Sequence, residues 1–138
     1  MLHVQQMIET HPNAAIGQHR VLAACIEACL DCAQTCTSCA DACLSEPDPA
    51  KLVDCIRADL DCADLCHAAV SLATRHAEGS TNVLRLLLRT CADACEACAR
   101  ECAKHGGHHD HCRICAETCR HCATECREAC DRLGADTH

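Results

Sequence analysis

Nineteen cysteines in a chain of 138 residues are the groups most able to do chemistry here. Six of them, Cys25, Cys29, Cys32, Cys36, Cys39 and Cys43, are separated by 4, 3, 4, 3 and 4 residues. That spacing places them on one face of an α-helix. At about 1.5 Å per residue the row is roughly 27 Å long, and neither Gly nor Pro interrupts it. Three further rows follow: Cys55, Cys62 and Cys66, with Asp59 in register among them; Cys91, Cys95, Cys98 and Cys102; and Cys112, Cys115, Cys119, Cys122, Cys126 and Cys130. Stripes of thiols stand where stripes of leucine normally stand.

A thiol stripe that only filled space would carry a redox hazard that Ala or Leu would not. Disulfides fit poorly, because the number of cysteines is odd and tandem bridges within one helix strain their geometry. Metal binding is the better account. Thiolates favour Cu(I), Zn(II) and iron–sulfur clusters. Zinc asks for four ligands in a tetrahedron, often from short knuckles. Iron–sulfur centres use a defined set of four cysteines per cluster. Cu(I) accepts as few as two sulfurs, which one helix supplies at i and i+3 or i+4, as do two facing helices. Charge points the same way: buried thiolates are prohibitive alone, and roughly one Cu(I) per sulfur leaves the interior near neutral. The expected capacity is on the order of 15–20 Cu(I) per chain.

The elements that position these rows follow from the breaks between them. Helices are expected over about 2–10, 14–44, 49–77, 81–105 and 109–133. Asn13 is a candidate cap for the second, and Asp48 with Pro49 for the third. Gly79 with Ser80 or Thr81, and Gly106 with Gly107, make the later turns. Four long helices on short connectors imply an all-α, up-down-up-down antiparallel four-helix bundle, one domain over residues 1–138, with a short extra N-terminal helix and a Cys-lined core. Without Phe, Tyr or Trp that core is narrow.

This topology makes the two ends unlike. One end gathers Cys43, Cys55, Cys102, His105, His108, His109, His111 and Cys112. The other is closed by Leu22, Val70, Leu84, Leu87, Leu88 and Leu133. Asp59 is expected near the polar mouth, as a ligand or with a His partner, because an unpaired buried carboxylate is costly; the alternative is a solvated carboxylate at a wide opening. His105, His109 and His111 are candidate ligands at that mouth, with His108 a weaker one. His3, His11, His19, His67, His76, His121 and His138 read as surface residues or caps.

The formal charge of −8 and the scattered arginines disfavour nucleic acid and anionic membranes as partners. No apolar run approaches the roughly 18 residues that span a bilayer. The first residues, MLHVQQMIETHPNAA, lack the basic and apolar regions of a secretory signal, so a cytoplasmic protein is expected.

Taken together, the four Cys rows and the His-rich third connector resemble the bacterial copper storage protein family, in its cytosolic branch, over nearly the whole chain. The resemblance implies a four-helix bundle, homotetramers, many Cu(I) ions stored inside each bundle, and copper entering at the His-lined end. The interior stripes carry no Met, since Met1 and Met7 lie outside them. A copper chaperone or small chelator is the expected donor, and no enzyme activity is expected. Two rivals stand beside this reading. One is a zinc or general metal-thiolate buffer; the other is a thiol redox protein, which lacks a βαβ context for its C-x-x-C units. A second apolar row, Val53, Ile56 and Leu60, is either a subunit interface or the flank of a narrow core.

Overall fold

The computed structural model describes residues 2–12, 19–75 and 81–135. All regular structure among them is helical: α1 (Val4–Glu9), α2 (His19–Leu44), α3 (Val53–Thr74), α4 (Thr81–Ala103) and α5 (Asp110–Ala135), with a 3-10 turn at Pro49–Leu52. The expected start of the second helix at 14 and the expected end of the third at 76 and 77 lie outside the described residues, as do Asn13, Gly79 and Ser80.

The four long helices form a ring in which α2 packs on α3, α3 on α4, α4 on α5, and α5 back on α2. The i, i+3, i+4 thiol rows face inward, and all nineteen cysteines are buried. Alanines beside the thiols, among them Ala33, Ala63, Ala92, Ala99, Ala116 and Ala123, are buried too. Their small side chains let the helices approach closely enough for sulfurs on different helices to meet. α1 packs against α2 and sets Val4 and Ile8 on the core's edge.

The helix ends depart from expectation where local chemistry competes. The third helix does not open as an α-helix at 49. Pro47 and Pro49 have no N–H to give, and the first turn tightens so that Lys51 N–H bonds to Asp48 C=O at 3.3 Å. Asp48 holds the N-cap position of that 3-10 turn, but its side chain makes no capping bond. α4 stops at Ala103, two residues early, and residues 104–109 form turns in which His105 C=O accepts from both His108 and His109 N–H. A Cβ on Gly106 would stand 3.4 Å from Arg113, so the connector lies close over α5. Gly134 does not end α5. It sits inside the last turn, with Arg85 crossing over it within 2.6 Å of where a Cβ would be.

One end of the ring is closed as expected by Leu22, Leu84, Leu88 and Leu133, all buried, with Val70 and Leu87 partly buried around them. At roughly 25 cal/mol per Å2 of apolar surface, each such leucine contributes about 2 kcal/mol. The other end carries the connectors 45–48 and 104–109 and holds no comparable plug of large side chains among the described residues. On the outer face of α3, Val53 and Leu60 are exposed and Ile56 half-buried.

Candidate metal centre

The thiols form one connected column. At the mouth, Cys112 lies 4.0 Å from Cys39 and 3.9 Å from Cys43. Cys39, Asp59, Cys102 and Cys115 come next, their ligand atoms all within 4.8 Å of one another. Cys55 reaches Cys102 at 3.2 Å. Cys36 then joins Cys115 at 3.7 Å, Cys119 at 3.5 Å and Cys98 at 4.0 Å. Cys32 links Cys119 to Cys62, at 3.7 Å each, and Cys62 meets Cys95 at 3.5 Å. Cys66 lies 3.7 Å from Cys91 and 3.9 Å from Cys122. Cys122, Cys29, Cys126 and Cys25 continue in steps of 3.6 to 3.9 Å. Cys130 is placed differently: its thiol donates to the Arg85 carbonyl at 3.5 Å, and Arg85 Nε returns a bond to the Cys130 carbonyl at 3.3 Å.

These sulfurs are too far apart to be bonded to one another and close enough for one metal ion to touch two or three. Four-ligand sets recur along the column, such as Cys32/Cys36/Cys62/Cys119 and Cys36/Cys98/Cys115/Cys119. Cys32, Cys36, Cys39, Cys62, Cys115 and Cys119 each belong to more than one set, which suits bridging thiolates and a soft, low-coordinate cation better than isolated tetrahedra. Near the mouth, burial pushes the Cys112 thiol up to about 11 and raises Cys43 as well. Those thiols hold their protons at neutral pH until a metal displaces them.

Asp59 is deeper and more completely enclosed than the sequence suggests. It is fully buried. Its partners are thiols and not a histidine: Cys98 and Cys115 donate to Oδ1 at 3.1 Å, Cys102 to the same oxygen at 3.4 Å, and Cys55 to Oδ2 at 3.9 Å. Burial, and then the neighbouring Cys115, push its carboxyl up to about 8.

The histidines separate into distinct places. His111 sits at the thiols, its Nδ1 3.4 Å from Cys39 and 3.6 Å from Cys112. His109 stands a layer outside and stacks on His111 with ring centroids 5.4 Å apart. His105 faces Glu101 on its own helix at 3.8 Å. His108 is exposed.

Glu46 was not legible as a functional residue from the sequence. Its Oε1 lies 3.0 Å from His111 Nε2 and 3.3 Å from His109 Nδ1. The bond from His111 holds the Glu46 carboxyl below the usual carboxylate range. The signal that could have found it is topological: connectors 45–48 and 104–109 share one end of an up-down bundle, so an acid in one faces His109 of the other and His111 at the start of α5.

Comparison with known proteins places these features. The sequence profile described as the copper storage protein, Csp, matches residues 18–131. The copper storage protein Ccsp of Streptomyces lividans, in a structure loaded with 10 copper equivalents, is 50% identical, with a TM-score of 0.88 over 93% of this chain and 98% of that one. Another structure, of a cytosolic copper storage protein from Streptomyces lividans with five coppers, is 51% identical, with a TM-score of 0.82 over 85% of this chain and 98% of that one. The Cu(I)-bound copper storage protein BsCsp3 is 42% identical, with a TM-score of 0.71 over 78% of this chain and 96% of that one. A cysteine-rich protein of Bacillus subtilis strain 168, YhjQ, whose role is uncharacterized, is 44% identical over 90 residues, which is 65% of this chain and 78% of that one.

Proposed function

The chain belongs to the copper storage protein family, and from that premise we propose how its residues hold and admit the metal. The protein stores Cu(I) through thiolates inside a helical bundle. The observation that carries this reading is the unbroken run of sulfurs from Cys43 and Cys112 at the mouth to Cys25 near the closed end. The storing ligands are the nineteen cysteines, with Asp59 among them. Each Cu(I) that binds releases a thiol proton, so the interior fills without accumulating charge. His111 delivers the ion to Cys39 and Cys112, His109 stands one layer out, and His105 flanks the same opening.

The finer points of the reading are a capacity on the order of 15–20 Cu(I) per chain and a cytosolic setting like that of the Streptomyces relative. The chain acts as one bundle domain, in a role that is storage and not turnover, with copper supplied by a chaperone or a small chelator. The exposed row on α3 supports assembly with further copies, as a homotetramer. Membrane and nucleic-acid partners are not part of the reading, and among the described residues no helix is long and apolar enough to cross a membrane.

An anaerobic titration of reduced protein with Cu(I) against a competing chromophoric chelator tests this. Well over ten equivalents taken per chain before the chelator colours is the expected result. Saturation at one or two equivalents would return the choice to zinc buffering or thiol redox chemistry.

A further inference from the structure

Outside the thiol column, at the end of the bundle remote from the histidine-lined mouth, lies a cavity of about 340 Å3. Leu22, Ile26 and Leu30 of α2 and Val70 and Ala73 of α3 form its floor. α1 forms its rim with Val4 and Ile8, and there it also presents His3, Met7 and His11. Met7 stands on α1, and His3 and His11 flank that helix, four residues to either side of Met7. A helical turn joins His3 to Met7, because Met7 N–H bonds to His3 C=O at 2.9 Å. His11 follows in the next turn, its N–H bonded to Ile8 C=O at 3.2 Å.

Two details bear on what this rim can bind. Met7 is 68% exposed, although Val4 and Ile8 on the same helix are packed against the core. Its thioether, a soft donor, is therefore open to an ion in solution. Secondly, His3 Nδ1 lies 3.1 Å from the Gln6 side-chain oxygen, Oε1. That oxygen only accepts, so Nδ1 carries the proton and Nε2 keeps its lone pair. A histidine whose one nitrogen is tied by a hydrogen bond while the other keeps its lone pair is oriented as metal-binding histidines are.

We propose that His3 Nε2 and the Met7 thioether bind one Cu(I) on the outside of the bundle. A thioether selects for a soft cation and discriminates against zinc. Cu(I) accepts the two-ligand geometry that residues i and i+4 supply. Neither donor is a thiolate, so the ion is held less tightly than in the column. Such a site suits exchange with a donor or acceptor at a point distinct from the mouth. The place of this exchange in a storage cycle rests on the copper-storage reading; the binding itself does not.

The test uses the full chain, reduced and loaded anaerobically until the thiol column is saturated. Further Cu(I) is then added from a weak buffering ligand while the methionine methyl resonances are followed by NMR. One more equivalent should bind and shift the Met7 methyl signal, which is assigned by its loss in Met7→Leu. Met7→Leu and His3→Gln should each weaken this equivalent at least about tenfold, with the column capacity unchanged. Zinc should leave the methyl signal where it is. A Met7 signal that does not move with added Cu(I), or extra binding that survives in Met7→Leu, overturns the site. Column capacity is measured first in the same sample, so a failure of storage and a failure of the outer site are read separately.

Discussion

Glu46 Oε1 lies 3.0 Å from Nε2 of His111, and the opposite nitrogen of that ring faces Cys39 at 3.4 Å. A carboxylate only accepts, so the proton sits on Nε2 and the lone pair of Nδ1 points at the thiols. Glu46 thus selects the tautomer that can pass a metal ion inward.

Glu46→Gln keeps the shape of the side chain but offers an amide that can present either oxygen or nitrogen to the ring. The affinity of the first copper taken at the mouth should fall about 10- to 100-fold, the cost usual for losing a partner that orients a ligand. Loading should slow, while the final number of Cu(I) per chain stays as it was. Stopped-flow loading monitored by thiolate–Cu absorbance reads the rate, and metal analysis after desalting reads the capacity. A lower capacity with a normal rate would place Glu46 in the store and not at its mouth.

Asp59 gives the apo protein a pH dependence with a definite sign. Its carboxyl is raised from an ordinary value of 3.8 to about 8 in the folded chain, chiefly by burial. Between those limits the folded state keeps a proton that the unfolded state has lost, so stability falls as pH rises from about 4 to about 8. The loss is on the order of 5 kcal/mol across that window. Asp59→Asn, which cannot ionise, should flatten the slope and leave the apo protein more stable at pH 8 than its parent. Urea unfolding of reduced, metal-free protein at pH 5 and pH 8 measures it. Equal slopes for parent and variant would mean that water reaches the carboxylate.

The sequence carried the column well because each thiol row repeats at 3 and 4 residues, and that period alone fixes which helix face a side chain takes. Asp59 was recognisable by the same register, in step with Cys55 and Cys62. Its depth was not, because that depends on Cys98, Cys102 and Cys115 converging on one oxygen from two other helices. Glu46 was hidden for a related reason: its partners lie 63 and 65 positions away, His109 at the end of another connector and His111 in the first turn of α5. The 3-10 turn at Pro49–Leu52 was misread as α-helix because Asp-Pro starts both. What decides between them is the shortage of N–H groups around two prolines.

Cys36 and Cys130 should differ in what their loss costs. Cys36 lies within 4.0 Å of Cys32, Cys98, Cys115 and Cys119. Its sulfur can bridge ions held by any of them, so Cys36→Ala should reduce capacity by about two Cu(I) or more. Cys130 spends its thiol on a backbone carbonyl, so Cys130→Ala should cost at most about one. Both are compared by chelator competition at equal protein concentration. Equal losses would mean that the copper-loaded core rearranges away from the sulfur network of the apo chain.

The bundle buries every one of its thiols, and its closed end is packed with leucine. Apolar packing of that kind needs no metal, so copper should add to an existing fold, unlike small metal-thiolate domains whose chains are unstructured until metal arrives. Reduced, metal-free protein should show a fully helical circular-dichroism spectrum and a cooperative melt. Loading binds many ions to the folded state alone, and each ion held a thousandfold above its Kd contributes about 4 kcal/mol. The melting temperature should then rise by at least about 10 °C. Stripping the copper with excess chelator should return it to the apo value. A coil-like spectrum for the apo chain would favour a metallothionein-like buffer. A helical apo chain whose melt does not respond to loading would mean that the ions sit outside the column.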